Sequence, residues 1–511
     1  MSGTARKGLC IGLDVGTSGI KGLLIDETGA IVARASAGYP LLTPRPGWTE
    51  QDPAEWWRAS LAVLRELQSR AGAPIAALGL TGQMHGAVFL DAAGEVIRPA
   101  LLWNDQRTAA ECALIEQRVG PERLRRIAGN PALTGFQAPK VLWLRGHEPE
   151  AYARVRHLLL PKDFIRHRLT GALATDASDA AGTLLLDLAK RDWSQEILDA
   201  LEIPREWLPR VHEGPEVTGR ISAEAAQATG LAEGLPVIAG GGDNAAAAVG
   251  SGVVRPGTGF VSLGTSGVVF VPSARLEIDP TGGLHAFCHA VPGQYHLMGV
   301  VLSAGGSLRW FRDALAPELA AEAEREDRDP YDALLAGAAA VAPGAEGLFF
   351  LPYLSGERTP HMDAHARGAW LGLTLAHRRA HLIRALLEGV SFALKDALVP
   401  MQRLGVSPDV LYAVGGGARG ELWRRILAAV LGVPLQPLAV EEGPALGAAL
   451  LASVGAGIHL DVEAAVAATV RPAGPAEPPD PKWQSLYENL YAGFATLYPA
   501  LRQTGLWRPE G

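Results

Sequence analysis

The chain has 511 residues, more than one ordinary core supports, and at roughly 150 residues per domain it predicts two large units or three smaller ones. Lys plus Arg number 46 against 54 Asp plus Glu, a formal charge of −8 with no basic block, so nucleic acid and anionic membrane are poor default partners. At 48% hydrophobic and 20% charged residues a folded core is expected, and the 60 glycines beside 36 prolines stay below low complexity, which predicts glycine at specific turns.

Arg6 and Lys7 precede an apolar stretch that Asp14 interrupts too early for a secretory core. Leu9–Asp26 (LCIGLDVGTSGIKGLLID) reads as a β-hairpin whose turn, Gly16-Thr17-Ser18-Gly19, calls for glycine at positive φ. Its small residues, hydroxyls and free backbone N–H groups suit phosphate oxygens, although it has neither a Walker ending nor the three-glycine dinucleotide spacing. Asp14, at the strand end, either holds a metal-bound water beside the phosphates or closes its own turn. Asp52-Pro53-Ala54-Glu55 supplies the N-cap, first-turn proline and capping-box glutamate of a helix that carries Trp56, Ala59, Leu61, Val63, Leu64 and Leu67.

The strand Ala77–Leu80 then runs into Gly82-Gln83-Met84-His85-Gly86, and the strand-like Pro99–Leu102 into Trp103-Asn104-Asp105-Gln106-Arg107. Amide, imidazole and carboxylate groups at strand ends, with Trp103 as an apolar wall, suit a small polyol. His85 alone would read as a structural histidine; with Gln83, Asn104 and Asp105 in the same half, the ligand reading is the better one. Further on, Pro236–Gly250 (PVIAGGGDNAAAAVG) takes a short strand through three glycines to Asp243-Asn244 at the start of a helix. Asp243 as a plain N-cap is worth ~1 kcal/mol. A cap does not need Gly240-Gly241-Gly242 before it, and a hydroxyl attacking a phosphoryl group does need a carboxylate to take its proton, so the catalytic base is favoured.

Pro and Gly in Val253–Gly259 mark a boundary between residues 1–253 and 254–511. About half a chain after the first hairpin, Phe260–Val271 (FVSLGTSGVVFV) repeats it with the turn Gly264-Thr265-Ser266-Gly267, which predicts two domains of one kind. His381–Leu398 places Leu382, Leu386, Val390, Leu394 and Leu398 at four-residue spacing with Ile383 and Leu387 beside them, a core stripe. The strand Asp409–Val414 leads into Gly415-Gly416-Gly417-Ala418-Arg419, a helix over Glu421–Leu431, a strand near Leu435–Val440, and Glu441-Glu442-Gly443-Pro444 opening another helix. That glycine turn either admits a base or ribose against bare backbone or is a tight strand-to-helix connection. Arg471–Lys482 (RPAGPAEPPDPK) reads as a surface segment leading to a helical tail. Alternating strands and helices throughout predict an α/β fold. Apolar runs near 427–440 and 445–458 are broken by Gly, Pro and Gln and are too short to span a membrane. Cys10, Cys112 and Cys288, far apart and without CxxC spacing, fit a reducing, cytoplasmic compartment.

The ordered set DVGTSGIK (Asp14–Lys21), GWTEQDP (Gly47–Pro53), GQMHG, LWNDQR, LPKD (Leu160–Asp163), TDASDAAGT (Thr175–Thr183), GGGDN, SLGTSG, LPYLSGERTP (Leu351–Pro360), GGGAR and GPAL (Gly443–Leu446) resembles the FGGY family of carbohydrate kinases, to about Ala452. The resemblance implies two actin/Hsp70-like, ribonuclease H-like α/β domains with a ligand cleft between them, ATP and Mg2+, and phosphorylation of D-xylulose to D-xylulose 5-phosphate in xylose catabolism. GQMHG points to that sugar; family members acting on glycerol carry an Arg-Glu pair there that this chain lacks. It further implies that Asp243 deprotonates the 5-hydroxyl, and that Gln83, Met84, His85, Trp103, Asn104, Asp105, Asp243 and Asn244 form the sugar pocket. Thr17, Ser18, Gly264, Thr265 and Ser266 would cradle ATP phosphates, and Gly416, Gly417 and Arg419 would border the adenosine. Asp14 and Asp243 would lie near Mg2+, partly through water. Gly420 stands where Ser is usual and Ala429 where Asp is common, both on the adenosine-side helix. The implied partners are a small sugar and ATP, with a homodimer as the candidate assembly. Ribulose or fuculose is the alternative sugar. A non-metabolic ATPase of the same broad fold is the alternative class, against which the polar set Gln83, His85, Asn104 and Asp105 speaks.

Overall fold

Two sheets repeat one strand arrangement. In the computed structural model, which describes residues 8–439 and 442–505, the first sheet contains β1 (Leu9–Val15), β2 (Gly19–Ile25), β3 (Ile31–Gly38), β4 (Ile75–Gly82), β5 (Val217–Arg220), β6 (Pro236–Ile238) and β7 (Gly241–Gly242). Its order is β5–β6–β4–β1–β2–β3, with β7 on β4. The second contains β8 (Thr258–Leu263), β9 (Gly267–Ser273), β10 (His285–Cys288), β11 (Tyr295–Val301), β12 (Val410–Val414) and β13 (Leu435–Pro437), in the order β10–β11–β9–β8–β12–β13. In both sheets the opening strand pairs antiparallel with its hairpin partner and parallel with a later strand. The half-chain echo in sequence is therefore an echo in topology. Arg6, Lys7, Val440 and Glu441 lie outside the described residues, and the strand expected over Leu435–Val440 is observed over Leu435–Pro437.

The hairpin turns correct one expectation. No residue of Gly16–Gly19 or Gly264–Gly267 has positive φ. Glycine is required there for room: a Cβ on Gly19 would lie 2.6 Å from the Ala37 carbonyl oxygen of β3, and one on Gly267 3.0 Å from Ala304 and Leu394 side-chain atoms. Each turn is three residues long, and in the first the Gly16 N–H donates to the Gly19 carbonyl at 3.1 Å.

Helix α1 (Pro53–Ser69) starts at the expected Asp52 cap and Pro53, the Asp52 carboxylate accepting from the Ala54 N–H, with Trp56, Ala59, Val63, Leu64 and Leu67 buried against the first sheet; Leu61 is only partly covered, and the capping-box role expected of Glu55 is not filled. Glu55 pairs with Arg58 at 2.7 Å. A segment of mostly short helices and strands between β4 and β5, including α2 (Pro161–Thr170), packs much of its apolar side into one core with the second half. In that half, α4 (Gly305–Leu315), α5 (Pro330–Ala339), α6 (Arg379–Arg403) and α7 (Glu421–Leu431) surround the sheet. The four-residue stripe of α6 is buried through Leu386, Val390, Leu394 and Leu398, whereas Leu382 is only partly covered.

The two halves are joined by α3 (Asp243–Gly250), from the first, and α8 (Gly443–Gly455), from the second. Helix α8 lies on β1 and β4 and crosses α3 with backbone against backbone. A Cβ on Gly447 would be 1.8 Å from the Ala246 carbonyl oxygen, one on Gly250 2.4 Å from that of Gly443, one on Gly12 1.9 Å from that of Ala445, and one on Gly79 2.0 Å from that of Ala448. Ridges of ordinary side chains would hold such helices 8–10 Å apart; these approach closer because there is nothing between them. After α8, the proline-rich segment follows β13 along its free edge: Leu435 and Glu477 exchange N–H to O bonds of 2.9 and 2.7 Å, and the Ala473 N–H reaches the Pro437 carbonyl at 2.9 Å. It leads into α9 (Pro481–Gln503), docked by Tyr487, whose hydroxyl is 2.7 Å from both Arg384 and Glu388.

We expect Gly447→Ala to lower unfolding stability by ~1–3 kcal/mol, since overpacked atoms must move backbone. Gly72→Ala, where an added methyl meets nothing within 4 Å, should stay within ~0.5 kcal/mol. Thermal melts of the two variants check the contrast.

Candidate active site

The hydroxyl-rich turn of the second hairpin stands between two cavities. Ser266 lines one of about 680 Å³ that also meets Met84, His85, Trp103, Asp243 and Asn244. Gly264 and Thr265 line the other, of about 300 Å³, with Gly416, Gly417 and Arg419. Both fall in the size range of small-molecule sites.

Asp243 is the first residue of α3, and the cap position belongs to Gly242. Its carboxylate is therefore not spent on capping: Oδ1 accepts from the Asn244 N–H at 2.7 Å and Nδ2 at 2.9 Å, and the side chain faces the larger cavity. Burial raises its pKa to about 6, against the opposing pull of the Asn244 bonds. The three glycines before it serve the protein fabric. Gly240 has φ +78° and a Cβ there would fall 1.7 Å from the Leu80 carbonyl oxygen, while Gly242 abuts the Met84 side chain at 3.0 Å. The approach of β4 to Gly240 and of Met84 to Gly242 accounts for glycine at these two positions.

A buried charge cluster fixes this corner. Lys162 Nζ lies 2.6 Å from Asp163, 2.8 Å from Asp176 and 3.3 Å from Asp179. Burial alone would discharge the amine, but the three carboxylates outweigh it and raise its pKa. Arg166 adds a contact to Asp163 and donates to the Ile238 and Ala239 carbonyls at 2.5 Å. Asp176 holds Ser178, whose Oγ accepts from the Gly242 N–H at 3.1 Å. The motifs LPKD and TDASDAAGT thus position the residue before Asp243.

His85 sits at φ +69°, a costly conformation for a residue with a side chain. Lys140 Nζ, buried, donates to the His85, Gly135 and Phe136 carbonyls and fixes it. His85 Nδ1 is 2.5 Å from the Gly182 carbonyl oxygen, and burial pushes the ring pKa down to about 3. The neutral ring must carry its proton on Nδ1 to meet a carbonyl, which leaves Nε2 an acceptor for a hydroxyl. Phe136 and Phe287 flank the ring at centroid distances of 4.8 and 6.2 Å.

Gln83, Asn104 and Asp105 do not face the cavity as expected. Gln83 is buried in a chain in which Trp103 Nε1 donates to Thr17 Oγ1 (3.0 Å), Thr17 Oγ1 to Gln83 Oε1 (3.2 Å), and Gln83 Nε2 to Gln51 Oε1 (3.0 Å). It positions the first phosphate-type turn. Asn104 accepts from the Thr49 hydroxyl at 2.7 Å. Asp105 is fully buried, chelating Arg107, which also meets Glu50 at 2.7 Å and stacks 3.8 Å over Trp48. Gln106, one residue on, lines the cavity in its place. Thr17 and Ser18 line neither cavity; Thr17 touches the wall through Trp103.

The smaller cavity is closed by residues with no motif in the sequence, Asp329, Tyr331, Asp332 and Leu335 near and on α5. Gly420 lines it, and a Cβ there would meet Leu335 at 2.8 Å, so the absence of a side chain at that position keeps this wall close. Ala429 is fully buried and lines neither of the two cavities.

Asp14 stands at the mouth of the first turn with Oδ1 buried and without a hydrogen-bond partner. Burial and the charge of Asp243 raise its pKa to about 7, against Lys21 opposite on β2. Two neighbouring buried carboxylates, one with an orphaned oxygen, fit a divalent cation that takes one or two protein carboxylates and completes its shell with phosphate and water.

A family model of the FGGY carbohydrate kinases, N-terminal domain, matches residues 9–250, and the C-terminal domain model matches residues 259–456. A xylulose kinase of Escherichia coli K12 is 46% identical over 448 residues, 87% of this chain and 90% of that protein. The crystal structure of xylulose kinase from Rhodospirillum rubrum superimposes with a TM-score of 0.90 at 36% identity, covering 97% of this chain and 99% of that one. A gluconate kinase structure from Lactobacillus acidophilus gives a TM-score of 0.90 at 30% identity, covering 97% and 98%.

Because Asp14 has a folded-state pKa above its unfolded value, the fold binds the extra proton and loses stability as pH rises from about 4 to 7. Asp14→Asn should therefore raise the melting temperature by a few degrees at pH 8, with the gain fading by pH 5. Thermal melts across that range read it.

Proposed function

We propose that this chain, which belongs to the FGGY family of carbohydrate kinases, transfers the terminal phosphoryl group of ATP to D-xylulose, giving D-xylulose 5-phosphate in xylose catabolism. The observation that carries the reading is Asp243: an uncapped, buried carboxylate at a helix start, in one cavity with a neutral imidazole and separated from a second cavity by the Gly264–Ser266 turn. The identity of the sugar rests on the 46% identical relative and on the Gln83-Met84-His85-Gly86 segment.

In this reading the pentulose lies in the larger cavity against Trp103, Phe136 and Phe287, with His85 Nε2 accepting from one hydroxyl. Adenosine occupies the smaller cavity beside Gly416, Gly417 and Arg419, and the phosphates pass over the Thr17 and Thr265 turns, where the N–H groups of Thr17, Ser18, Thr265 and Ser266 donate to no other group among the described residues. Alignment of the 5-hydroxyl with the terminal phosphorus supplies much of the rate. Asp243 takes the hydroxyl proton as the new bond forms; with a pKa of about 6 it is ionised at neutral pH and still basic enough to accept. Mg2+, when held by Asp14 and Asp243 partly through water, offsets phosphate charge that an acidic protein with no basic cluster would otherwise repel. Buried, unpaired Cys10, Cys112 and Cys288, with thiols pushed up to about 12 by burial, support a cytoplasmic enzyme acting on small molecules.

Asp243→Ala is expected to lower turnover at least ~10²–10⁴-fold, the scale of a lost general base, with ATP affinity retained; near-normal turnover sinks the assignment. A steady-state panel of D-xylulose, D-ribulose, fuculose, glycerol and gluconate should give D-xylulose the highest kcat/KM. A higher value for another sugar moves the reading to that substrate.

A further inference from the structure

Among the described residues, Arg358 is the one Lys or Arg side chain lining the larger cavity. Its guanidinium donates no hydrogen bond and forms no ion pair among the described residues; only its main chain is engaged, the N–H on Glu357 Oε1 at 2.7 Å and the carbonyl accepting from the Met362 N–H at 2.6 Å. Glu357 forms no ion pair with it: its Oε1 is turned to the main-chain N–H groups of Leu302 and Arg358, and burial raises its pKa to about 8. The histidines that face it, His85 and His285, are both held neutral by burial. A largely desolvated guanidinium with no ion-pair partner is costly to keep, so its place calls for an anion that arrives with the reaction.

The arm that carries it is rigid. Glu357 Oε1 also accepts from the Leu302 N–H at 2.9 Å. Thr359 exchanges main-chain and hydroxyl bonds of 3.0 Å with Val300 and donates to the Gly283 carbonyl at 2.9 Å. Both neighbours of Arg358 are thus tied to β11 or the residue beyond it, and the guanidinium is presented toward the cavity that Asp243 faces. A pentulose is uncharged and gives such a group nothing to pair with. The phosphoryl group in flight, and the product that carries it, do.

We propose that Arg358 binds the non-bridging oxygens of the transferred phosphoryl group and then of the sugar phosphate, resting on the kinase reading above. In the step, the sugar oxygen forms a bond to the terminal phosphorus while the bond from that phosphorus to the bridging oxygen breaks. The electron pair leaves with ADP, and the hydroxyl proton goes to Asp243. Arg358 supplies a planar pair of N–H groups matched to two phosphoryl oxygens. A carboxylate would satisfy the same fork, and the relative named as a gluconate kinase makes a sugar acid the competing source of the oxyanion.

Calorimetric titration of wild type and Arg358→Met with D-xylulose, D-xylulose 5-phosphate and D-gluconate, beside steady-state kinetics, separates them. In Arg358→Met, affinity for D-xylulose 5-phosphate should fall at least ~10-fold and kcat ~10²-fold or more, as for a lost oxyanion donor, with D-xylulose affinity within ~3-fold. Arg358→Lys, which keeps the charge without the fork, should recover part of both and serves if the Met variant does not fold. The proposal is overturned if product affinity is unchanged, if D-xylulose affinity falls as far as product affinity, or if gluconate binds wild type and is lost in the variant while product binding holds. Wild-type enzyme that turns over no sugar would sink the kinase reading alone, because the sugar phosphate titration still reads Arg358 without turnover.

Discussion

Backbone contact between α3 and α8 is the constraint on which the molecule turns. Four glycines, Gly12, Gly79, Gly250 and Gly447, face carbonyl oxygens at distances that leave no room for a single carbon. The consequence is geometric. A helix contributed by the second half becomes part of the cover of the first half's sheet, so neither half completes its own core. Close packing of this kind transmits displacement instead of absorbing it. Asp243 stands at the N-terminal end of one of these two helices, and the position of its carboxylate is inherited from that crossing.

Around this junction the chain buries more charge than its core requires. Lys162 with three aspartates, Arg166, Asp14, Asp243, Glu357 and Arg358 all lie in or beside the site. A buried charge is weak evidence for stability, since desolvation offsets much of the attraction. These groups divide by whether they are answered. Lys162 and the two terminal nitrogens of Arg166 are held by carboxylates and carbonyls, and Asp176 of this cluster holds Gly242 through Ser178. Asp14, at the first turn, keeps an unbonded oxygen, and Arg358, on the wall of the larger cavity, has a guanidinium without an ion-pair partner. Perturbed and unsatisfied titratable groups of this kind concentrate at functional sites.

Much of this was legible in the sequence where local chemistry decides. The two hairpins, the Asp52-capped α1, the stripe of α6 and the bounds of α7 follow from periodicity and caps, and the repeat of one turn was enough to indicate two sheets of one topology. Asp243 was legible too, although for a reason the structure revises: its glycines make room for Leu80 and Met84. What sequence could not decide was the direction of side chains just past a strand. Gln83 and Met84 are adjacent, yet the first turns into the fabric and the second to the cavity, and Asp105 and Gln106 divide the same way. Asp105 is taken by Arg107, whose other partner, Glu50, is far away in sequence. The walls contributed by Phe136, His285, Phe287 and the residues near α5 carry no local signal, because apolar strands and ordinary loops read alike whether or not a ligand will touch them.

The proline-rich run alongside β13 bears on a different matter, that of self-association. A terminal strand offers a row of unused donors and acceptors that a second chain can extend without limit. Here residues 471–477 occupy that row, and Pro472, Pro475, Pro478, Pro479 and Pro481 have no N–H to offer outward. The segment ends the ladder on this side while withholding the means to begin another. A stretch of chain that lines neither cavity thereby closes one sheet edge along which a second copy could add.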